Sequence, residues 1–381
     1  MYNTTAVYLN AGPRMVAKND DRKVWSVETT DVVFLGAGFS RAVDENAPLM
    51  PDFFRGFSES QFPALGRFLS NCFESAESAN VEEALSTLDQ LVASPLKGLH
   101  PFIDECRSKY PDVRREFDSF VIHRLGGLKW HSSNWATRLL SQASASTTVV
   151  TTNYDNLAER ILSARRNLRH CGPDTDCPHC KLCAIMKSNC GCSESSAVGE
   201  PPWRGSLLKL HGSVAWRMCK NPECFSGRRK CIVPDSHCRI VPEGKCECCG
   251  EPSRLAIVAP SMMKNFDEFV ELRRMWVAAF TALKEAESVI FFGYSFPPSD
   301  AAIAQMLRNT LGESKKLQRI AVIDTNLAGP VARLRKCFPE KHHVDGRQIA
   351  LTHFEVPVDR SCPKWYRSSD EPVEMAANGH S

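Results

Sequence analysis

The stretch Val32-Val-Phe-Leu-Gly-Ala-Gly-Phe-Ser40 constrains the fold of this chain more than any other. Four apolar residues follow Asp31 without a polar break, the pattern of a short strand buried on both faces, as in a parallel sheet. Gly36-Ala37-Gly38 comes next, so the backbone can turn tightly at the strand's carboxyl end and approach a ligand with no side chain between. In open parallel sheets that rim is where ligands sit, often a phosphate held by backbone N–H groups. The dinucleotide fingerprint needs a third glycine, and Arg41 stands in its place. Taken alone, the glycine pair is equally a tight turn. Its meaning depends on what the other strands end in.

Three further segments read as buried strands with small or polar residues at their carboxyl ends. Thr147–Thr152 is β-branched throughout and runs into Asn153-Tyr154-Asp155. Ser206–Ser213 carries His211-Gly212, and Ser288–Phe292 ends in Gly293-Tyr294-Ser295. Ile320–Asp324 adds a strand with Asp324 and Asn326 at its end, and Ile349–Phe354 is the last strand. Asn153 or Asp155 can equally cap the helix expected over Asn156–Leu162. His211 by itself reads more readily as a core histidine on a strand.

Helical periodicity fills much of the remainder. From about Phe53 to Ser144 the chain predicts a helical insertion, clearest where Asn80 caps Val81, Ala84, Leu85 and Leu88 on one face, with Glu83 placed for a capping box. That insertion is either a packed subdomain or a lid over the ligand. An amphipathic helix is expected over Asp267–Glu287. Ser299 or Asp300 caps another whose apolar face is Ile303, Met306, Leu307 and Leu311. The domain expected is 26–358, with 54–145 as the helical insertion and flexible tails at 1–25 and 359–381.

Cysteine usage sets the second constraint. No apolar run approaches the roughly 20 residues needed to span a bilayer. The N-terminus also lacks the apolar core of a secretory signal, which points to a cytoplasmic protein. There thiols stay reduced, yet of 17 cysteines 13 crowd between Cys171 and Cys249. That crowding favours zinc over disulfides. Cys219-x4-Cys224 and Cys246-x2-Cys249 are two pairs at the spacing of a four-thiolate knuckle, and Gly250 suits its tight turn. Cys177-x2-Cys180 is half of a second site, for which Cys171, Cys183, Cys190 and Cys192 compete. The zinc-binding insertion expected is thus 171–252, interrupted by the strand at 206–213. All-thiolate sites leave no open position for catalysis, so both zincs would be structural. Each would add about −2 to a formal charge of +3, which removes the case for a nucleic-acid partner.

The four strand ends, in this order and with zinc cysteines after the third, resemble the sirtuin family and its sirtuin-like relatives. The matches are Gly36 to Ser40, Asn153 and Asp155, His211-Gly212, Gly293 with Ser295, and Asn326. The resemblance implies an α/β fold with a Rossmann-like, mostly parallel sheet, and NAD bound across it as a substrate cleaved at the nicotinamide–ribose bond. It implies that the loop of Gly36, Ala37, Gly38, Phe39 and Ser40 holds the pyrophosphate. Asn153 would hold ribose or water, Asp155 the carboxamide, Gly293 and Ser295 the cofactor, and Asp324 or Asn326 the adenosine ribose. His211 is the expected general base, since an imidazole accepts a proton near neutral pH.

Deacylating sirtuins follow the zinc module with Phe-Gly-Glu, where this chain reads Ile257-Val-Ala-Pro-Ser-Met-Met-Lys264. Gly-Ala-Gly-Phe-Ser with Thr-Asn-Tyr-Asp is closer to bacterial defence proteins that hydrolyse NAD. The leading expectation is therefore an NAD glycohydrolase acting in antiphage defence. A protein deacylase and a non-catalytic NAD- or ADP-ribose-binding adaptor are the alternatives. A partner protein or self-assembly is compatible with each.

Overall fold

In the computed structural model, seven strands form one sheet in the order β1–β10–β9–β8–β2–β3–β4. These are β1 (Val7–Tyr8), β2 (Val32–Leu35), β3 (Thr148–Thr151), β4 (Leu207–Lys209), β8 (Ser288–Phe292), β9 (Arg319–Asp324) and β10 (Ala350–Glu355). The structure describes residues 7–8, 30–96, 98–144, 146–164, 206–219, 221, 232–234, 245–246, 249–258, 270–338 and 350–356. Every pairing in the sheet is parallel except β1 with β10. Two residues of the N-terminal arm expected to be flexible therefore lie in the sheet, as its antiparallel edge.

Counting only the parallel strands in chain order, the arrangement is 6-5-4-1-2-3. This is the doubly wound, Rossmann-like order, whose topological switch point falls between β2 and β8. Register sharpens the point. Leu35 pairs with both Thr151 and Phe292, and Phe292 pairs with Ile323. The next residue on each strand, Gly36, Thr152, Gly293 or Asp324, therefore stands on a common rim.

The apolar runs of the central strands are buried on both faces, as their sequence requires. Val33, Leu35, Val149, Ile290, Phe292 and Ile323 pack on one face; Val32, Phe34, Val150, Val289, Phe291 and Val322 pack on the other. The first face is covered by α1 (Ala37–Val43), α2 (Pro63–Cys72), α3 (Val81–Ala93), α4 (Pro101–Gly126), α5 (Trp135–Ser141) and α6 (Leu157–Ala164). The second is covered by α7 (Val270–Glu285), α8 (Ala301–Thr310) and α9 (Ala328–Arg335). Asn80 caps α3 as its sequence predicts, its side chain accepting from the amides of Glu82 and Glu83.

The segment at 206–213 is not one strand. β4 ends at Lys209, and after a turn at Leu210 and His211 the chain enters β5 (Gly212–Cys219) in a second, antiparallel sheet. That sheet has the order β6–β5–β7, with β6 at Ile232–Pro234 and β7 at Ser253–Ile257. Gly212 makes the change of sheet possible. Its φ is +85°, and a Cβ there would lie 1.8 Å from the carbonyl oxygen of Ala256. The pattern of apolar residues fits either arrangement, and the close approach of β7 decides between them.

The helical insertion and the second sheet are joined by a buried ion pair. On α4 the guanidinium of Arg114 donates to Asp118 at 3.0 Å and to the carbonyl of Ile257, while Asp118 accepts from the amide of Leu255. Burial works against the Arg114 charge, but Asp118 beside it outweighs that cost and pushes its pKa up.

Candidate functional site at the switch point

A cavity of about 280 Å³ opens at the carboxyl ends of β2, β8 and β9, where the strand order predicts a ligand crevice. Of the residues expected to hold a cofactor, Ala37, Gly38, Asn153, Gly293, Ser295 and Asp324 line it. Gly36, Phe39, Ser40, Asp155, His211 and Asn326 do not. The reasons are local. Phe39 turns into the core and meets Phe292 edge-on, with ring centroids 5.2 Å apart. Ser40 and Asp155 are buried behind the rim and bond to one another, Ser40 Oγ donating to Asp155 Oδ2 at 2.6 Å. Asn326 is exposed beyond Asp324 and donates its amide to that carboxylate.

The glycine turn does less for a ligand than its composition suggests. The Gly36 amide donates to Phe292 O, Gly38 to Gly293 O and Phe39 to Gly36 O. Among the described residues Ala37 is the member of this turn whose amide is not committed in this way, and it begins α1, whose amino end carries partial positive charge.

Asn153 is held tightly. Its Nδ2 donates to Gly36 O at 2.8 Å and to Ser40 Oγ at 2.9 Å, which uses both amide protons. Asn153 lines the cavity, and Oδ1 is its remaining side-chain polar atom, an acceptor. Asp155 serves as a brace: Oδ1 accepts the Leu157 amide at the start of α6, and its backbone carbonyl accepts from Lys209 Nζ. Lys209 is buried and pairs with Glu159 at 2.9 Å. The helix-cap and site readings of this segment therefore divide between two residues, with Asp155 as cap and Asn153 on the cavity.

Three carboxylates reach the cavity. Asp324, expected from the sequence, stands at the end of β9, and burial pushes its pKa above the ordinary carboxylate value of 3.8 against hydrogen bonds from Asn326 and Thr325. Glu82 and Asp300 were not expected. Glu82 comes from α3 and accepts from Ser299 Oγ at 3.0 Å, so the helical insertion supplies part of the wall. Asp300 stands at the N-cap of α8, yet its side chain makes no capping bond. It forgoes a contact worth about 1 kcal/mol. Its Oδ2 accepts from Tyr294 Oη at 2.9 Å, and its Oδ1 lies 3.3 Å from His211 Nε2. Burial, then the Asp300 charge, pushes the Tyr294 phenol well above its usual pKa, so it remains a donor. The misplaced cap was the one available sequence signal, and Ser299 beside it masked the choice.

At the far end of β5, Cys219, Cys246 and Cys249 bring their sulfurs within 4.8 Å of one another. Cys219 Sγ and Cys249 Sγ are 3.5 Å apart, near the roughly 3.8 Å expected between thiolates on a tetrahedral zinc. Gly250 has φ +74° and donates to Cys246 O, and the Asn221 amide points at Cys219 Sγ at 3.4 Å. Thiol chemistry and knuckle geometry both fit zinc. Cys224, Cys177 and Cys180, also expected as ligands, lie outside the described residues. No helix among the described residues is long and apolar enough to cross a membrane.

Comparison with known proteins agrees with this topology. The SIR2-like domain matches residues 147–343, just over half of the chain. The chain belongs to the SIR2-like family. The matched span of this SIR2-like chain holds Asn153, His211, Asp300, Asp324 and the three clustered cysteines, while the Gly36–Ser40 turn precedes it. No curated protein matches the chain. Among solved structures, a Sir2 homolog–NAD complex is similar at 14% identity, with 84% of this chain and 93% of that chain covered and a TM-score of 0.40. A mutant Sir2 homologue bound to ADP ribose is similar at 13% identity, covering 84% and 94%, with a TM-score of 0.38. Likeness this remote carries no ligand or residue role over to the SIR2-like chain.

Proposed function

We propose that this SIR2-like protein is an NAD glycohydrolase that cleaves the nicotinamide–ribose bond to give nicotinamide and ADP-ribose. The observation that carries the reading is Asn153, which lines the crevice and whose two amide protons are tied to Gly36 and Ser40, so that Oδ1 is left as the acceptor of a fixed side chain. A fixed acceptor positions a ribose hydroxyl or an attacking water, and positioning of this kind removes much of a barrier's entropic part.

Electrostatics supports the same reading. Breaking the bond to nicotinamide builds positive charge on the ribose, as in glycoside hydrolysis. Glu82 and Asp300 are carboxylates on the wall of the crevice, where such charge is stabilised. The amino end of α1 with the Ala37 amide would face the pyrophosphate, and Asp324 the adenosine ribose. Gly293 and Ser295 would pass beneath the ligand, and His211 would act from behind Asp300. The zinc would be structural. The Gly36–Ser40 and Thr152–Asp155 motifs, read as resembling those of defence hydrolases, extend the proposal to antiphage defence by removal of NAD, in the cytoplasm, with a partner protein or a second copy of the chain as the activating contact.

Purified protein incubated with NAD should release nicotinamide and ADP-ribose without any peptide. Strict dependence on an acyl-lysine peptide, with O-acyl-ADP-ribose formed, would show a deacylase. Binding without turnover would show an adaptor.

A further inference from the structure

The mouth of the crevice carries a positive group as well as Asp324. Arg333, on α9, donates from Nε to the carbonyl oxygen of Ser295 at 2.7 Å in an exposed position, and Ser295 lines the crevice. The guanidinium runs back along its helix to the first turn, where a Cβ on Gly329 would lie 2.9 Å from Nη2 and 3.3 Å from Nη1. Burial raises the Asp324 pKa, and the charge of Arg333 is among the influences that oppose the rise. Arg333 does not line the cavity itself; it stands outside, bonded to one lining residue and in the field of another. We propose that Arg333 is a specificity-determining residue that receives the 2′-phosphate of NADP, so that NADP is a substrate beside NAD; this rests on the glycohydrolase reading, in which Asp324 faces the adenosine ribose.

The chemistry of the guanidinium favours a phosphate. Among the described residues neither Nη makes a hydrogen bond or an ion pair, so both remain donors, while the bond from Nε fixes the fork. A planar fork of N–H groups matches phosphate oxygens two at a time. The direction of the side chain matters too. A cation is disfavoured at the first turn of a helix, where the amides already carry partial positive charge, and an anion bound there relieves both.

The chain brings the two charges together. Asp324 ends β9 and α9 begins at Ala328, so a ribose held by Asp324 has the first turn of α9 next to it. Asp324 alone would repel a further phosphate. Arg333 offsets that repulsion without abolishing it, so NAD remains the better substrate and NADP is accepted.

The reaction on NADP balances as it does on NAD. The C1′–N bond breaks and its electron pair neutralises the pyridinium nitrogen, releasing nicotinamide. The water oxygen bonds to C1′, and its proton leaves to solvent. NADP and water thus give nicotinamide, 2′-phospho-ADP-ribose and one proton.

The test compares kcat/KM for NAD and NADP in wild-type protein, Arg333→Ala and Arg333→Lys. It adds calorimetric binding of 2′,5′-ADP and 5′-AMP, which needs no hydrolysis. Arg333→Ala should lower kcat/KM for NADP about tenfold more than for NAD, and affinity for 2′,5′-ADP about tenfold more than for 5′-AMP. Arg333→Lys keeps the charge and should keep most of both. Arg333→Gln keeps a donor for Ser295 and carries the comparison if the alanine variant fails to fold. Equal losses for NAD and NADP, with equal losses for the two nucleotides, would show that Arg333 only braces the Ser295 backbone and would overturn the assignment. Wild-type protein that cleaves NAD and leaves NADP intact would do the same. Protein that cleaves neither dinucleotide, yet loses 2′,5′-ADP selectively in Arg333→Ala, would overturn the glycohydrolase reading and uphold the phosphate site.

Discussion

The amide of Gly38 donates to the carbonyl of Gly293 at 2.9 Å, so the turn after β2 and the turn after β8 are one backbone-to-backbone contact. A Cβ on Gly38 would lie 2.7 Å from Gly293 Cα, and one on Gly293, where φ is +62°, would lie 2.2 Å from Phe39 N. The glycines are thus required by packing whatever the ligand. Gly38→Val and Gly293→Ala should each lower stability by at least about 1–3 kcal/mol in a denaturant titration. Unchanged stability with weakened NAD binding would show instead that these positions serve the ligand alone.

Elemental analysis of protein purified without chelator should give between one and two zincs per chain. Cys249→Ser removes a thiolate from the cluster and should reduce both metal content and folding yield, since structural zinc contributes folding free energy. Metal-free protein with a native melting profile would refute the zinc assignment.

Asn153→Ala removes the fixed acceptor and should lower turnover about 100-fold with a smaller change in NAD affinity. Asn153→Asp should be no better, because a carboxylate cannot donate to Gly36 O and would face it across 2.8 Å. Affinity and turnover falling together in Asn153→Ala would assign the residue to binding.

Asp324 should make the site prefer NAD to NADP, whose extra phosphate would meet a carboxylate. Replacement by Asn should narrow that preference by about tenfold, or 1.4 kcal/mol, in paired binding measurements. The ionised form is the acceptor for a ribose hydroxyl. Burial raises its pKa above 3.8, so NAD affinity should fall as pH drops through that raised value, and Asp324→Asn should remove this fall. An NADP affinity equal to that for NAD would place the adenosine ribose elsewhere.

Arg114→Met leaves the Asp118 carboxylate buried without its partner at 3.0 Å and should cost about 3–5 kcal/mol. A double replacement with Asp118→Leu should recover much of that loss. If it does not, the link from α4 to β7 through Ile257 and Leu255 matters more than the charge pair.

The sequence by itself determined the central strands, because residues such as Val32–Leu35 and Ser288–Phe292 are apolar without interruption and have no stable place except between two helical layers. It also determined the rim of small and polar residues, since a strand's register delivers whatever follows it to the sheet's edge. The knuckle turn at Gly250 was legible for a similar reason, being local backbone geometry. Tertiary structure decided what depends on distant chain segments meeting. The approach of β7 to Gly212 broke the expected strand at 206–213 in two and put His211 in the turn. Docking of α3 brought Glu82 to the cavity wall. The positions of Tyr294 and His211 drew Asp300 from its cap into the crevice. Side-chain periodicity reports which face a residue occupies, but a contact between segments far apart in the chain leaves no period to read.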